Sequence, residues 1–360
     1  MNLQKKYKKS IVFVCLGFLF SCSNSASSVL LSKAPQEIAI NIVKDPCTLD
    51  SRKARLLTDF NTIRALNEGL FRLNKNGEIT EGVAESCLLL EDKKTYKIQL
   101  KETLWSNGDA LTAHDFIYSW KTALDKNFSS SFASLLFCLR NGQAIKEGTL
   151  PASLLGVRAE GDYTLIIELE EQTPFFKELL TLPIFFAVNE SVVKEHEDWN
   201  TNIAHYVCNG PFKLNAWEHT RELMLEKNVR YYDAKHVNLQ KITMLMVDDK
   251  TGVNMYQNNE LSWAGSPFSL ITDEIIEHAS EFTDLVKTSI LSTYFLRANV
   301  SSYPLQDLSF RKSIAAGINR KDIVEYVLNN RADVATGLVP KSMGLQEIPY
   351  FSDGDEKQEQ

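Results

Sequence analysis

Two pairs of adjacent carboxylates are the first groups in this sequence whose type and spacing could perform chemistry. Glu170-Glu171 and Asp248-Asp249 could act in general acid–base catalysis if burial pushed their pKa values apart. Both pairs, however, stand at the ends of predicted elements, where solvated charges are usual. The sequence has no GxSxG, HExxH, P-loop or GxGxxG motif. It therefore predicts that the protein is not an enzyme.

Histidine and cysteine side chains are the next candidates, because both can ligate metals. The six histidines are scattered and share no ligand spacing: His114, His196, His205, His219, His236 and His278. The cysteines that follow the first segment form no CxxC pair: Cys47, Cys87, Cys138 and Cys208. We therefore expect no metal site and no cofactor. Three disulfide pairings and four free thiols are all open at this point.

The balance of charge argues against a nucleic-acid partner. The chain has 360 residues, with 39 Lys and Arg against 46 Asp and Glu, which gives a net charge of -7. Lysines are concentrated at the very start, so the remainder is more acidic still and should repel phosphate backbones. The length and the 44% of apolar residues suit a globular protein with one large domain or several lobes.

The first 22 residues have the layout of an export signal. A basic patch from Lys5 to Lys9 precedes the apolar run Ile11–Phe20, which is too short for a membrane-spanning helix. The sequence Leu19-Phe20-Ser21-Cys22 resembles a bacterial lipobox, although Phe20 stands where a small residue is usual. We expect a signal peptide at 1–21, lipidation of Cys22 and a serine-rich tether at 22–34. An ordinary cleaved signal with an incidental cysteine is the alternative.

Strand and helix patterns alternate along the rest of the chain. Alternating apolar residues predict strands over 37–43, 96–100, 162–170 and 242–247, with a hairpin over 212–227. The segment 291–298 is expected to be extended. Periodic apolar faces predict helices that begin near Thr58 and Thr112 and others over 248–257, 270–279, 307–318 and 320–328. Thr112 and Asp115 have nearly the spacing of a capping box, and Trp105 and Trp120 are expected in the core. The mixture predicts an α/β protein with more than one lobe.

Three blocks of this sequence resemble one family, the bacterial extracellular solute-binding proteins of family 5, which include the oligopeptide-binding lipoproteins of ABC importers. The most specific block is Trp105–Trp120, which is similar to the family's WSDG…TAxDFxYSW run. A second block joins Glu68-Gly69-Leu70 to Gly82–Ser86. A third joins Asn209–Leu214 to Tyr231-Tyr232-Asp233. The resemblance covers about residues 35–345.

This resemblance implies an α/β, two-lobed fold of the periplasmic-binding-protein type II kind, with an extra domain and an incomplete second lobe. The implied ranges are a first lobe at 35–65 and 189–292, an inserted extra domain at 66–188, a partial opposing lobe at 293–350 and a loose tail at 351–360. Family members continue past the last residue of this chain. The continuation would complete the opposing lobe and supply an acid for a peptide's amino terminus, a role that no residue after Ser342 is expected to fill.

The resemblance also implies a function, which is capture of oligopeptides by closure of the two lobes and delivery to the ABC permease subunits of the inner membrane. A lipid anchor would hold the protein to a membrane in the periplasm. One alternative is a truncated surface or structural lipoprotein that has lost transport. Another is binding of a different solute, such as a cell-wall peptide or nickel. A hydrolase whose nucleophile and base meet only in the folded chain is the alternative from a different class.

The residues expected to bind the ligand follow from the same resemblance. Trp263, Gly265 and Ser266 lie in a non-helical stretch that matches cleft positions of the family, where an aromatic ring and main-chain hydrogen bonds would hold a peptide. A role for Trp263 in the core is the alternative. Tyr294 and Phe295 match an aromatic crossing strand, with packing at a hinge as the alternative.

Two further positions are expected near the ligand by the same comparison of motifs. Phe132 matches a position that carries a ligand-facing tyrosine in the family, and it lacks the hydroxyl. Asp59 stands where the family has an acid near the ligand. Capping of the helix that contains Phe60 is the alternative role for Asp59.

Overall fold

The structure is a computed structural model that describes residues 36–271, 275–276, 283–288, 290–335, 337–340 and 343. It divides into two compact units, Met1–Glu277 and His278–Gln360. The expected signal peptide, Cys22, the tether and the tail lie outside the described residues. Within the described parts of the chain, no helix combines the length and the apolar character needed to cross a bilayer.

A mixed four-stranded sheet in the first unit joins distant parts of the chain. Its strand order is β1-β12-β11-β10. The strands are β1 (Glu37–Asn41), β10 (Phe212–Glu218), β11 (Glu222–Lys227) and β12 (Lys241–Leu245). Strand β1 pairs in parallel with β12, and β11 is antiparallel to both of its neighbours. Strand β1 therefore lies at one edge of this sheet.

A second four-stranded sheet of the first unit is antiparallel throughout and has the order β4-β5-β9-β8. Its strands are β4 (Ala84–Leu89), β5 (Thr95–Leu100), β8 (Val157–Ala159) and β9 (Thr164–Glu168). Two short hairpins accompany it, namely β2 (Phe71–Leu73) with β3 (Ile79–Glu81) and β6 (Thr103–Leu104) with β7 (Ala110–Leu111).

Helices connect these strands and form the regular part of the second unit. In the first unit they are α1 (Leu57–Leu66), α2 (Ala113–Ala123), α3 (Gly142–Lys146), α4 (Phe176–Leu179), α5 (Glu190–Glu195) and α6 (Asp249–Gln257). In the second unit they are α7 (Leu308–Gly317) and α8 (Arg320–Asp322), which continues as a π-helical turn over Ile323–Val327.

Helix α2 shows how local sequence and burial agree. Thr112 is its N-cap, and the Asp115 carboxylate accepts a hydrogen bond from the Thr112 backbone N–H at 2.9 Å, which confirms the predicted capping box. The fully buried Trp120 indole donates to the carbonyl oxygen of Phe185 at 3.0 Å. The core positions predicted for Trp105 and Trp120 are confirmed, since both side chains are buried.

Two large apolar clusters in the first unit follow the two sheets. One consists of residues between 70 and 187 and surrounds the antiparallel sheet. The other draws on residues between 40 and 66 and between 188 and 244, and it lies against the mixed sheet. This division parallels the extra domain expected at 66–188. A separate domain over that range stays a prediction, because both clusters belong to the same compact unit.

A buried arginine lies between aromatic rings from both parts of the first unit. Arg52 donates to both carboxylate oxygens of Asp50, at 2.8 and 2.9 Å, and both side chains are buried. The Arg52 guanidinium also lies 5.0 Å from the ring centroid of Phe128, 5.7 Å from that of Trp199 and 5.9 Å from that of Tyr118. Tyr118 belongs to α2, whereas Trp199 belongs to the cluster beside the mixed sheet. The guanidinium thus contacts residues from both halves of the first unit.

The four cysteines of the described region are free thiols: Cys47, Cys87, Cys138 and Cys208. Of the possibilities that the sequence left open, the structure therefore has the reduced state. Burial raises the pKa of the Cys138 and Cys208 thiols to about 12, so neither is a reactive thiolate near neutral pH. Cys47 is exposed.

The second unit consists of capped helices with exposed side chains. The Asp307 carboxylate accepts from the backbone N–H of Ser309 at 2.6 Å, and Asn319 caps α8 in the same way. The helices predicted over 307–318 and 320–328 are confirmed. The segment expected to be extended over 291–298 is described throughout, and it pairs with no strand of the described residues. Most of the helix expected over 270–279 lies outside the described residues.

Candidate functional site

Helix α1 carries the first of the expected site residues. It begins at Leu57, one residue before the predicted start, and Asp59 occupies its first turn. The fully buried Asp59 carboxylate accepts backbone N–H bonds from Cys47 at 2.7 Å and from Arg55 and Leu56 at 3.0 Å each. These contacts are those of a helix-capping residue. Direct contact between Asp59 and a ligand stays a prediction.

Phe132 reaches the same helix from a distant part of the chain. Its ring lies 5.5 Å from the ring of Phe60 in an edge-to-face arrangement, and part of its surface is exposed. Phe60 packs in turn against a small buried cluster that contains Ile63 and Phe186. Phe132 is thus held against Phe60, which follows Asp59, and part of its ring faces solvent.

The segment around Trp263 continues the free edge of the mixed sheet. Trp263 pairs with Ile40 of β1 as an isolated parallel bridge, and Ser262 N–H donates to the Ala39 carbonyl oxygen at 2.7 Å. The Trp263 side chain is 49% exposed. Its indole N–H points back to its own loop, with the carbonyl oxygens of Ser266 at 3.1 Å and Gly265 at 3.3 Å. The alternative of a core tryptophan does not fit this exposure.

Gly265 gives the segment its turn. Its φ of +98° lies in the region that side chains rarely adopt, and a Cβ there would stand 2.9 Å from the Ile271 side chain. The Gly265 N–H donates to Ser269 Oγ at 2.8 Å. Ser266 is exposed, whereas Gly265 is buried. The turn therefore presents the Trp263 indole and Ser266 at the surface.

Two polar contacts that the sequence did not predict fix this segment to its neighbours. Asn61 of α1 donates from Nδ2 to the Pro267 carbonyl oxygen at 2.9 Å. The N–H of Leu270 donates to Asp249 Oδ1, at the start of α6, also at 2.9 Å. Helix α1 thus brings Asp59, Phe132 and the Trp263 segment together. A lone asparagine in a helix gives no sequence signal for such a contact.

Tyr294 and Phe295 lie in the second unit, where the structure shows them as surface residues. Their side chains are 97% and 60% exposed, respectively. Contact with a ligand and packing at a hinge both stay predictions for these two residues.

A cavity of about 440 Å³ opens elsewhere in the first unit, and Glu68, Arg72 and Tyr231 are among the residues that line it. The Tyr231 hydroxyl donates to Glu68 Oε2 at 2.6 Å, and Arg72 donates to Glu68 Oε1 at 3.1 Å. Burial, followed by the negative charge of Glu68, raises the pKa of Tyr231 well above its usual range. The polar groups of these three residues bind one another. We therefore assign the family motif at Glu68 and Tyr231 to the stability of the fold rather than to the ligand.

Two of the five histidines in the described residues lie close together. The structure brings His196 and His205 into a stacked pair beside Asp198, although their spacing in the sequence is not that of metal ligands. A loop that folds back on itself joins them, and their spacing of nine positions matches no metal motif of continuous sequence. The pair lies outside the segments gathered by α1.

Comparison with known proteins agrees with this architecture. The profile described as "Bacterial extracellular solute-binding proteins, family 5 Middle" matches residues 78–358. The chain belongs to this family of solute-binding proteins. The recognition made from the three motif blocks is thereby confirmed.

Particular relatives are binding proteins for peptides by name. The chain is 35% identical to the oligopeptide-binding protein OppA of Bacillus subtilis over 332 residues, which cover 91% of this chain and 61% of that protein. It is 33% identical to the dipeptide-binding protein DppE of the same organism over 302 residues, with 83% of this chain and 55% of the relative covered. The chain thus spans less than two thirds of the length of these relatives.

Solved structures give the same result for the fold. Haemophilus influenzae OppA in complex with RPPGFSPFR matches with a TM-score of 0.80 at 27% identity, over 89% of this chain and 64% of that one. The Escherichia coli murein tripeptide binding protein MppA matches with a TM-score of 0.80 at 28% identity. The match covers 88% of this chain and 62% of that one. The predicted α/β fold of a periplasmic binding protein is confirmed.

Proposed function

We propose that this chain is the peptide-binding component of an ABC importer and that it captures oligopeptides outside the cytoplasm. The observation that carries the proposal is the match over 89% of the chain with an OppA solved in complex with a nine-residue peptide. The named relatives are binding proteins rather than enzymes, which supports a function without catalysis. The permease subunits of the importer would be the protein partner.

The surface around Trp263 is the proposed ligand contact of the first unit. An exposed indole at a sheet edge can stack on peptide groups of varied sequence, because its contact area is large and its geometry is rigid. Gly265 and Ser266 would let a main chain approach closely. Phe132 would add an apolar contact without a hydrogen bond, since it has no hydroxyl. Asp59 would support the site by holding the first turn of α1.

Tyr294 and Phe295 are the proposed ligand contacts of the second unit. Their exposed rings supply the apolar area that a peptide's side chains need, and an extended stretch of chain around them leaves room for that contact. No metal or cofactor is part of this proposal.

Attachment to a membrane through Cys22 is proposed on the sequence alone. The basic patch, the short apolar run and the lipobox-like Leu19–Cys22 support export of the chain with removal of residues 1–21. Acyl chains on Cys22 would hold the protein at the periplasmic face of a membrane, with residues 22–34 as a tether.

Peptide binding is tested with the purified full chain. Isothermal titration with di- to pentapeptide mixtures, followed by mass spectrometry of retained peptides, should detect saturable binding. Trp263→Ala should weaken the affinity by about tenfold or more, as expected for an aromatic residue at the centre of a contact.

The matched control is Phe175→Ala, which removes another exposed aromatic side chain of the first unit, beside α4. Its affinity should equal that of the unchanged protein. Absence of both co-purified peptide and saturable binding would overturn the proposal and favour a surface lipoprotein without transport. Equal losses of peptide affinity in the two variants would show that Trp263 is not part of the binding site.

A further inference from the structure

The loop between α5 and β10 gathers three metal-binding side chains on the surface of the first unit. Nδ1 of His205 lies 2.7 Å from Oδ1 of Asp198. The rings of His196 and His205 stack in parallel, with centroids 3.7 Å apart and an angle of 6° between their planes. One potential ligand atom from each of the three residues lies within 4.8 Å of the other two. None of these side chains belongs to the surface proposed for peptide binding.

The backbone that carries these side chains is anchored in the core. Trp199 and Tyr206 immediately follow Asp198 and His205 in the sequence, and both are buried. Their rings lie parallel, with centroids 6.1 Å apart, and the Tyr206 hydroxyl accepts a hydrogen bond from Asn67 Nδ2 at 2.9 Å. The two ends of the loop are therefore fixed, so a metal ion would not have to order it. A pre-ordered backbone favours affinity.

A second hydrogen bond orients the Asp198 carboxylate. Asn202 donates from Nδ2 to Asp198 Oδ2 at 2.7 Å, which leaves Oδ1 directed to His205. Outer contacts of this kind hold the ligands of metal sites in place.

We propose that His196, Asp198 and His205 form a binding site for a divalent transition-metal ion, with Zn²⁺ as the ion that fits best. Two imidazole nitrogens and one carboxylate oxygen are a donor set that Zn²⁺ takes, with water in the fourth position. The Asp198 side chain is about half exposed, so that water and the ion can enter from solvent.

Binding of one ion requires the stacked imidazole rings to turn, because a ring nitrogen coordinates a metal in the plane of its own ring and two parallel rings 3.7 Å apart cannot both do so. Ligand atoms about 2.1 Å from a tetrahedral Zn²⁺ lie about 3.4 Å from one another. The potential ligand atoms lie within 4.8 Å of one another, so side-chain rotation can bring them to this spacing. On coordination, the hydrogen bond between His205 and Asp198 would be replaced by two bonds to the ion, and its proton would move to the other ring nitrogen or to solvent.

Other histidines of the described region form His–Asp pairs without a third potential metal ligand. His236 contacts Asp233, and His219 lies 3.6 Å from Asp45, but neither pair is joined by a second histidine in the described residues. His236–Asp233 is therefore a matched control for a contact without the third ligand.

The experiment titrates the full chain with ZnCl₂, after its accessible thiols have been blocked with iodoacetamide because Cys47 is exposed. We expect one ion per chain by titration calorimetry. His196→Ala and His205→Ala should each weaken the affinity by about tenfold or more, and His236→Ala should leave it unchanged. Co²⁺ in place of Zn²⁺ should give the visible absorption of a four-coordinate nitrogen and oxygen site, and each histidine variant should lose it.

Circular dichroism of each variant shows whether it has folded, and His205→Gln replaces any alanine variant that has not. The proposal is overturned if the blocked chain binds no stoichiometric Zn²⁺. It is equally overturned if the folded His196 and His205 variants bind as tightly as the unchanged chain. The site is independent of the proposed function, since neither outcome depends on whether peptide is bound.

Discussion

The two units of this chain form helices by the same local signals but differ in how they bury side chains. In the first unit, α2 begins with a capping box and places Phe116 and Trp120 in a core with no exposure. In the second unit, α7 begins with an equally well-formed Asp307 cap. None of the second unit's described residues, which are 283–288, 290–335, 337–340 and 343, is buried.

The difference shows that capping fixes where a helix begins, whereas packing fixes whether it is stable. Large apolar side chains of α7 and the following turn remain at the surface: Leu308, Phe310, Ile314, Ile323, Tyr326 and Val327. Burial of such side chains is the main favourable contribution to folding. The described residues of the second unit do not supply the surface that would cover them. We therefore expect substitutions to have large effects in the first unit and small effects in the second.

The largest difference should come from a matched pair of phenylalanines. Phe116→Ala removes a fully buried ring and should lower the free energy of unfolding by about 3–5 kcal/mol. Phe310→Ala removes a ring that is 41% exposed and should change it by about 0.5 kcal/mol or less. Urea denaturation followed by far-UV circular dichroism measures both. An equal loss in the two variants would mean that the second unit is packed in solution, and the comparison would fail.

A smaller difference is expected for a pair of glycines. A Cβ at Gly210 would stand 2.6 Å from the backbone carbonyl of Leu66, which cannot move aside, whereas a Cβ at Gly317 would have no neighbour within 4 Å. Gly210→Ala should destabilise the protein by about 1–3 kcal/mol, as overpacking does. Gly317→Ala, at the end of α7, should raise stability by at most about 0.5 kcal/mol. A stable Gly210→Ala protein would show that the loop after Asn209 can adjust.

The smallest effects should come from two helix caps, Asp248 of α6 and Asp307 of α7. Hydrogen bonds from the side chain of Thr251 and of Ser309 lower the pKa of Asp248 and Asp307, respectively. Each carboxylate therefore stabilises its helix at pH values above the pKa of an unfolded aspartate, about 3.9, and that stabilisation is lost as the pH falls through the lower folded pKa.

Asp307→Ala should raise amide hydrogen exchange in α7 several-fold, because few tertiary contacts hold that helix. Asp248→Ala should change exchange in α6 less, because Gly252 and Val253 are buried. Exchange measured by mass spectrometry at neutral pH separates the two helices. A larger effect in α6 than in α7 would contradict the idea that packing is what protects the first unit.

The sequence predicted best where the structural cause is local. The capping box of α2, the burial of Trp105 and Trp120, and the two helices of the second unit depend on residues a few positions apart, and each is present. The family's fold could also be recognised, because its motif blocks lie mostly within single turns and helices. Local hydrogen bonds and apolar spacing carry that information directly.

Features that depend on distant contacts could not be predicted. The segment expected to be extended over 291–298 pairs with no strand of the described residues, and its own sequence does not indicate which strand would be its partner. The contact between Asn61 and Pro267 joins positions 206 apart, and the pairing of His196 with His205 depends on a loop anchored by buried rings. Sequence spacing alone does not show which distant residues such loops bring into contact.

Arg52 has a mechanical consequence for the first unit. Its guanidinium is hydrogen-bonded to Asp50 and lies beside Tyr118 of α2 and Trp199 of the cluster at the mixed sheet. Displacement of α2 relative to that cluster would therefore separate an aromatic ring from a buried cation. Arg52 should thus resist sliding between these two parts of the first unit.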